Sequence, residues 1–107
     1  MSLDVSLLVT KPCEVFGANI THNLVPMAEE AGLYEPLWHP EKLNISQAKQ
    51  LIGPLEAGLA LLLAEPERFE RFAPVNLWGS YGGLVAFVSE YLDACKENPD
   101  ATIEVSR

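Results

Sequence analysis

Four polar side chains crowd one short stretch of this sequence: Asn19, Thr21, His22 and Asn23. His22 is one of two histidines, and the other is His39. Imidazole is the ordinary side chain that changes charge near neutral pH, so both rings are candidates for proton transfer or ligand binding. At a helix start the backbone dipole disfavours the imidazolium and leaves a neutral ring with one free donor or acceptor. That suits a general base, but it also suits a buried structural histidine, and the structural reading leads because a lone histidine is a weak catalytic signal. Asn19, Thr21 and Asn23 are residue types that cap helices or form turns. Asn19-Ile20-Thr21 and Asn44-Ile45-Ser46 also match the glycosylation sequon. With no secretory signal recognisable, both read as caps.

Other chemistries find less support. A metal needs at least three converging ligands. His22 and His39 stand 39 − 22 = 17 positions apart, with Glu29, Glu35 and Glu41 as the available acids, in no ligand spacing. The run Gly79-Ser80-Tyr81-Gly82-Gly83 is neither a nucleophile elbow nor a phosphate loop, and it reads as a tight turn before a helix. The fifteen acids allow many carboxylate pairs, and their spacing selects none. The sequence therefore names no catalytic residue, no metal ligand and no cofactor, and it leans away from an enzyme.

One spatial idea remains. Trp38-His39 and the group Asn76, Trp78 and Tyr81 precede helix starts, as Asn19 and His22 do. If those starts share one end of the domain, Asn19, His22, Trp38, Asn76, Trp78 and Tyr81 form a polar-aromatic pocket for a small ligand or a peptide anchor. Alternatively the tryptophans plug a small core.

The elements that must position these residues are read from periodicity. Leu3 to Thr10 alternates, with Leu3, Val5, Leu7 and Val9 on one side, which predicts a half-buried strand. Cys13 to Gly17 predicts a short second strand returning as a hairpin. A first helix starts between Thr21 and Val25, with Pro26 in its first turn and Gly32 after its end. Leu33 to Asn44 reads as a long connection held down by Leu33, Tyr34, Leu37 and Trp38. Asn44, with Gln47 three residues on, opens a second helix whose stripe is Ala48, Leu51, Ile52, Leu55, Leu59, Leu62 and Leu63. Pro54 predicts a kink there, or two shorter helices. Pro66 starts a short helix over Glu65 to Phe72. Ser80 caps a last helix with stripe Leu84, Val88, Tyr91, Leu92 and Cys95, and Thr102 to Ser106 predicts a terminal strand with Ile103 and Val105 inward.

The whole predicts one α+β domain over residues 1–107. A small antiparallel or mixed sheet, made of the N-terminal strand, a short second strand and the C-terminal strand, packs against three to four helices. Seven Lys and Arg against fifteen Asp and Glu give a net charge of −8. That argues against direct nucleic-acid binding and fits a protein partner with a basic groove. No apolar run reaches membrane-spanning length, and the N-terminus lacks the basic start of a signal peptide, so a cytoplasmic location is expected. Spacing permits a Cys13–Cys95 bridge without favouring it, and Cys95 falls on a core stripe.

The segments NITHNLVPMAEEAGLYEPLW, LIGPLEAGL, PERF, NLWGSYGGLVAFVSEYLDAC and NPDATIEVSR together resemble a group of small bacterial and phage proteins that have no assigned function. The resemblance covers nearly the whole chain. Such proteins have Asn-Gly-Trp-Gly where this chain has Asn76-Leu77-Trp78-Gly79, and Leu77 implies a backbone not forced into the left-handed region there. The resemblance implies an intracellular domain of phage or mobile-element origin and transfers no catalytic residue. The expectation is a non-enzymatic acidic interaction module. The alternative is a small-ligand-binding protein or enzyme centred on His22 and Trp78.

Overall fold

The alternation near the N-terminus becomes the middle strand of a sheet. A computed structural model describes residues 2–10, 13–74 and 79–107. Strand β1 (Ser2–Thr10) pairs antiparallel with β2 (Cys13–Thr21) on one side and with β3 (Thr102–Ser106) on the other, giving the order β2-β1-β3. Leu3, Val5 and Leu7 are buried, as their spacing requires. Val9 is instead 50% exposed. The reason is local: the register slips twice, leaving Val15 unpaired on β2 between the Leu7–Phe16 and Leu8–Glu14 pairs, and Val9 unpaired on β1 between Leu8–Glu14 and Thr10–Cys13.

The second strand runs four residues further than expected, to Thr21. Asn19 is therefore a strand residue opposite Asp4 and not a helix cap. Polar residues on an open sheet face look like caps when read alone. Thr21 does cap: its Oγ1 accepts the Asn23 N–H at 3.2 Å, starting a 3-10 turn at His22–Leu24. Helix α1 (Val25–Glu30) follows, with Pro26 in its first turn. Its end is a Schellman closure, with Gly32 at φ 74°, Leu33 N–H donating to the Ala28 carbonyl at 2.8 Å and Gly32 N–H to Glu29 at 3.1 Å.

The expected connection from Leu33 to Asn44 is largely helical, as α2 (Tyr34–Trp38) and a 3-10 turn at Pro40–Leu43. Pro36 and Pro40 stand in first turns, where a missing N–H breaks nothing. Among the described residues five α-helices thus stand where three to four were expected. Asn44 ends that 3-10 turn in the left-handed conformation, at φ 58°. The next helix, α3 (Ala48–Ala64), opens at Gln47, and Gln50 Oε1 accepts the N–H groups of Ser46 and Gln47 at 2.9 and 3.0 Å.

Helix α3 passes through Pro54 as one element and not two. Gly53 has no Cβ for the proline ring to strike, and the freed carbonyl belongs to exposed Gln50, where water can satisfy it. Its buried stripe is Ala48, Leu51, Leu55, Gly58 and Leu62, whereas Leu63 is 59% exposed. Helix α4 (Pro66–Glu70) buries Phe69. Ser80 Oγ accepts the Gly83 N–H at 3.0 Å and caps α5 (Tyr81–Glu97), which buries its predicted stripe together with Phe87 and Ala94.

Helices α3 and α5 run antiparallel. The Tyr81 hydroxyl at the start of α5 donates to the Leu62 carbonyl near the end of α3 at 2.6 Å, and Lys49 near the start of α3 meets Asp100 just beyond α5. Phe16 of β2 stacks on Tyr91 of α5 with centroids 5.8 Å apart. The buried side chains form one core between helices and sheet, with Ile103 and Val105 partly buried against it. Among the described residues no helix is long and apolar enough to cross a membrane.

Candidate functional site

Of the predicted site residues, His22 and Trp38 fall in one place, Asn19 in a second, and Tyr81 apart from both. The first is an aromatic cluster under the 3-10 turn that follows β2. The His22 and Trp38 rings lie 6.1 Å apart at 60°, and Tyr34 stacks on Trp38 at 5.8 Å. His22 Nε2 and Trp38 Nε1 are both buried and have no hydrogen-bond partner among the described residues. The backbone at Gly79 presses on the same region. Its φ is 103°, and a Cβ there would come within 2.7 Å of Thr21 Cγ2 and 2.9 Å of Leu24 Cγ. Glycine is thus required twice over, by conformation and by space.

Beyond Trp38 the cluster continues into a polar network that the sequence reading missed. The Tyr34 hydroxyl and His39 Nε2 share a hydrogen bond of 3.0 Å, and His39 Nδ1 faces Glu41 Oε2 at 3.4 Å. Arg107 Nη1 donates to the Trp38 carbonyl at 2.7 Å and to Glu41 Oε1 at 3.2 Å. Partial desolvation pushes the Glu41 carboxyl up, but its own N–H, Arg107 and His39 together hold it below the ordinary value. A phenol, an imidazole and a carboxylate in a row have the outline of a proton relay. The 3.4 Å contact exceeds ordinary hydrogen-bond length, and Arg107 already claims the carboxylate. The network is a brace tying Arg107, just beyond β3, to α2. Its only sequence signal was the spacing of Tyr34, Trp38 and His39, which becomes meaningful once that segment is helical.

Tyr81 is spent on the Leu62 carbonyl and offers no free hydroxyl hydrogen. Asn76 and Trp78, like Leu77, lie outside the described residues. No three of the His, Cys, Asp and Glu side chains gather as a metal cluster among the described residues. Cys95 is a free, buried thiol, pushed up to about 12 by burial.

Asn19 belongs to the second place, the sheet face turned away from the helices. Register puts Asp4, Ser6 and Leu8 of β1 opposite Asn19, Gly17 and Glu14 of β2 and opposite Ser106, Glu104 and Thr102 of β3. Two adjoining hollows cross it. One is lined by Asp4, Ser6, Glu14, Gly17 and Asn19, the other by Asp4, Ser6, Glu104 and Ser106. This face carries three carboxylates and no basic side chain among its described residues. Comparison with family models, with curated proteins and with solved structures finds no match.

Proposed function

We propose that this protein is a non-enzymatic, acidic interaction module that binds a basic protein partner through the open face of its sheet. The observation that carries the reading is the grouping of Asp4, Glu14 and Glu104, all exposed, on three adjacent strands around small residues, on a face that no described helix covers. Such a surface steers a partner of opposite charge and repels nucleic acid. A cytoplasmic setting and a phage or mobile-element origin belong to the same proposal, the origin on the resemblance alone.

A second reading has its own support. The unpartnered nitrogens of His22 and Trp38 favour a small polar ligand held beside the aromatic cluster, because buried polar atoms ordinarily find partners. One experiment separates the two. Affinity capture from native lysate uses the full chain, the double variant Asp4→Lys/Glu104→Lys, and His22→Ala. Loss of a captured basic protein with the double variant alone supports the interaction module. Capture that survives that variant and fails with His22→Ala transfers the function to the aromatic cluster.

A further inference from the structure

We propose that the free edge of β2 receives a basic, extended segment of a partner protein as a fourth strand, with lysine or arginine side chains lying over Gly17 toward Glu14 and Asp4. The inference rests on the reading of the outer face as the binding surface and adds how that surface is used.

The two edges of the sheet differ. On the β3 side, Ile103 N–H donates to the Ser46 carbonyl at 2.9 Å and Gln47 bridges Thr102, so that edge is covered. Strand β2 is nine residues long, and its outer edge makes no backbone hydrogen bond with any described residue. Long exposed edges are ordinarily blunted by lysine, proline or a covering segment, because their unpaired N–H and C=O groups template another strand. From Glu14 to Thr21 there is neither lysine nor proline, and the bulge at Val15 leaves Phe16 to Ile20 regular.

The two faces of β2 define the occupant. On the outer face Gly17 leaves the backbone bare between Glu14 and Asn19. A Cβ placed there would lie 3.0 Å from Glu14 Oε1, so the carboxylate folds across the glycine. A long cationic side chain on a fourth strand can cross the same bare backbone to Asp4 on β1. On the inner face Phe16 and Ala18 point toward the core yet remain only partly buried, and no described strand flanks them at the edge. An added strand would cover them with alternate apolar residues. The fitting segment therefore alternates basic and apolar residues. A second copy of this chain fits poorly, since each copy carries a charge of −8 and presents Glu14 at the same edge.

The test titrates the isotope-labelled full chain with a synthetic peptide of about six alternating lysine and valine residues, the usual strand length. A second peptide has proline in place of valine; it carries equal charge and lacks those N–H donors. The expected result is salt-sensitive binding of the lysine–valine peptide alone, with slowed amide exchange along residues 16–20. Glu14→Lys should weaken binding by roughly tenfold or more, because it sets like charges side by side. Gly17→Thr, which suits a strand and fills the bare floor, should weaken it comparably while its thermal unfolding stays cooperative. Equal binding of both peptides without protection of β2 overturns strand addition and leaves the acidic-face reading standing. Binding of neither peptide overturns both. A dimer that is lost in Gly17→Thr overturns the basic segment in favour of a second copy.

Discussion

Tyr91 and Gly58 show how single residues set the stability of this core. The Tyr91 ring is fully buried between Phe16 and Phe87, and its hydroxyl has no partner among the described residues. A buried, unpaired hydroxyl costs free energy that phenylalanine avoids. Tyr91→Phe should therefore be neutral or stabilising by about 1 kcal/mol in urea unfolding. Burial, helped by Cys95, also raises the phenol well above 10.0, and burial raises the Cys95 thiol from 9.0 to about 12. Above pH 9 the unfolded chain releases a thiol proton that the folded chain keeps, so unfolding becomes easier. Stability should fall as pH rises from 9 towards 12, and the slope should be shallower in both Tyr91→Phe and Cys95→Ala. Gly58 is buried on α3, and an added Cβ would overlap Leu33 Cγ and both its Cδ atoms. Gly58→Ala should cost about 1–3 kcal/mol through overpacking, outweighing the roughly 1 kcal/mol gain in helix propensity. A stabilised alanine variant would mean that Leu33 moves aside at no cost.

At the scale of elements, the longest periodic segments were the most legible. Every residue of the expected α5 stripe is buried, with Phe87 and Ala94 in addition: seventeen residues give four to five turns over which a 3.6-residue period is unmistakable. Short segments were not. Tyr34–Trp38 is too brief to show a period, and Pro36 with nearby Pro40 suggests a loop. The start of α3 was placed at Asn44 because asparagine is a strong cap, yet Asn44 also tolerates the left-handed conformation it adopts. The working cap is Gln50, reaching back to the N–H groups of Ser46 and Gln47. Gln50→Ala should destabilise the protein by about 1 kcal/mol, as loss of a cap does. Asn44→Ala should leave helix content unchanged and cost only the strain of a left-handed alanine. Circular dichroism with thermal melting separates the two.

For the whole molecule, charge outweighs pairing. The ion pairs Lys49–Asp100, Lys96–Glu56 and Arg107–Glu41 join exposed side chains, and such pairs contribute little. A net charge of −8 on one small chain is self-repulsive. Raising ionic strength from about 0.01 M to about 0.15 M shortens the screening length from roughly 30 to 8 Å. The melting temperature should therefore rise over that range. A fall would show that the ion pairs hold the fold more than the repulsion strains it.

The α+β class, the first and last strands, the long helices and the acidic character were legible in the amino-acid order, because periodicity and composition are local quantities that survive without coordinates. That order also suggested Asn19, His22, Trp38, Asn76, Trp78 and Tyr81 as one candidate group, and it singled out none of Asp4, Glu14 and Glu104. Only the tertiary structure divided that group. Strand pairing carried Asn19 to the outer face beside Asp4, whereas the turn at His22–Leu24 set His22 against Trp38. The same pairing joined Asp4, Glu14 and Glu104, which stand far apart in the chain, into one acidic face, and it left β2 with an open edge. Which strand lies at an edge depends on where the last segment returns, and no local pattern encodes that.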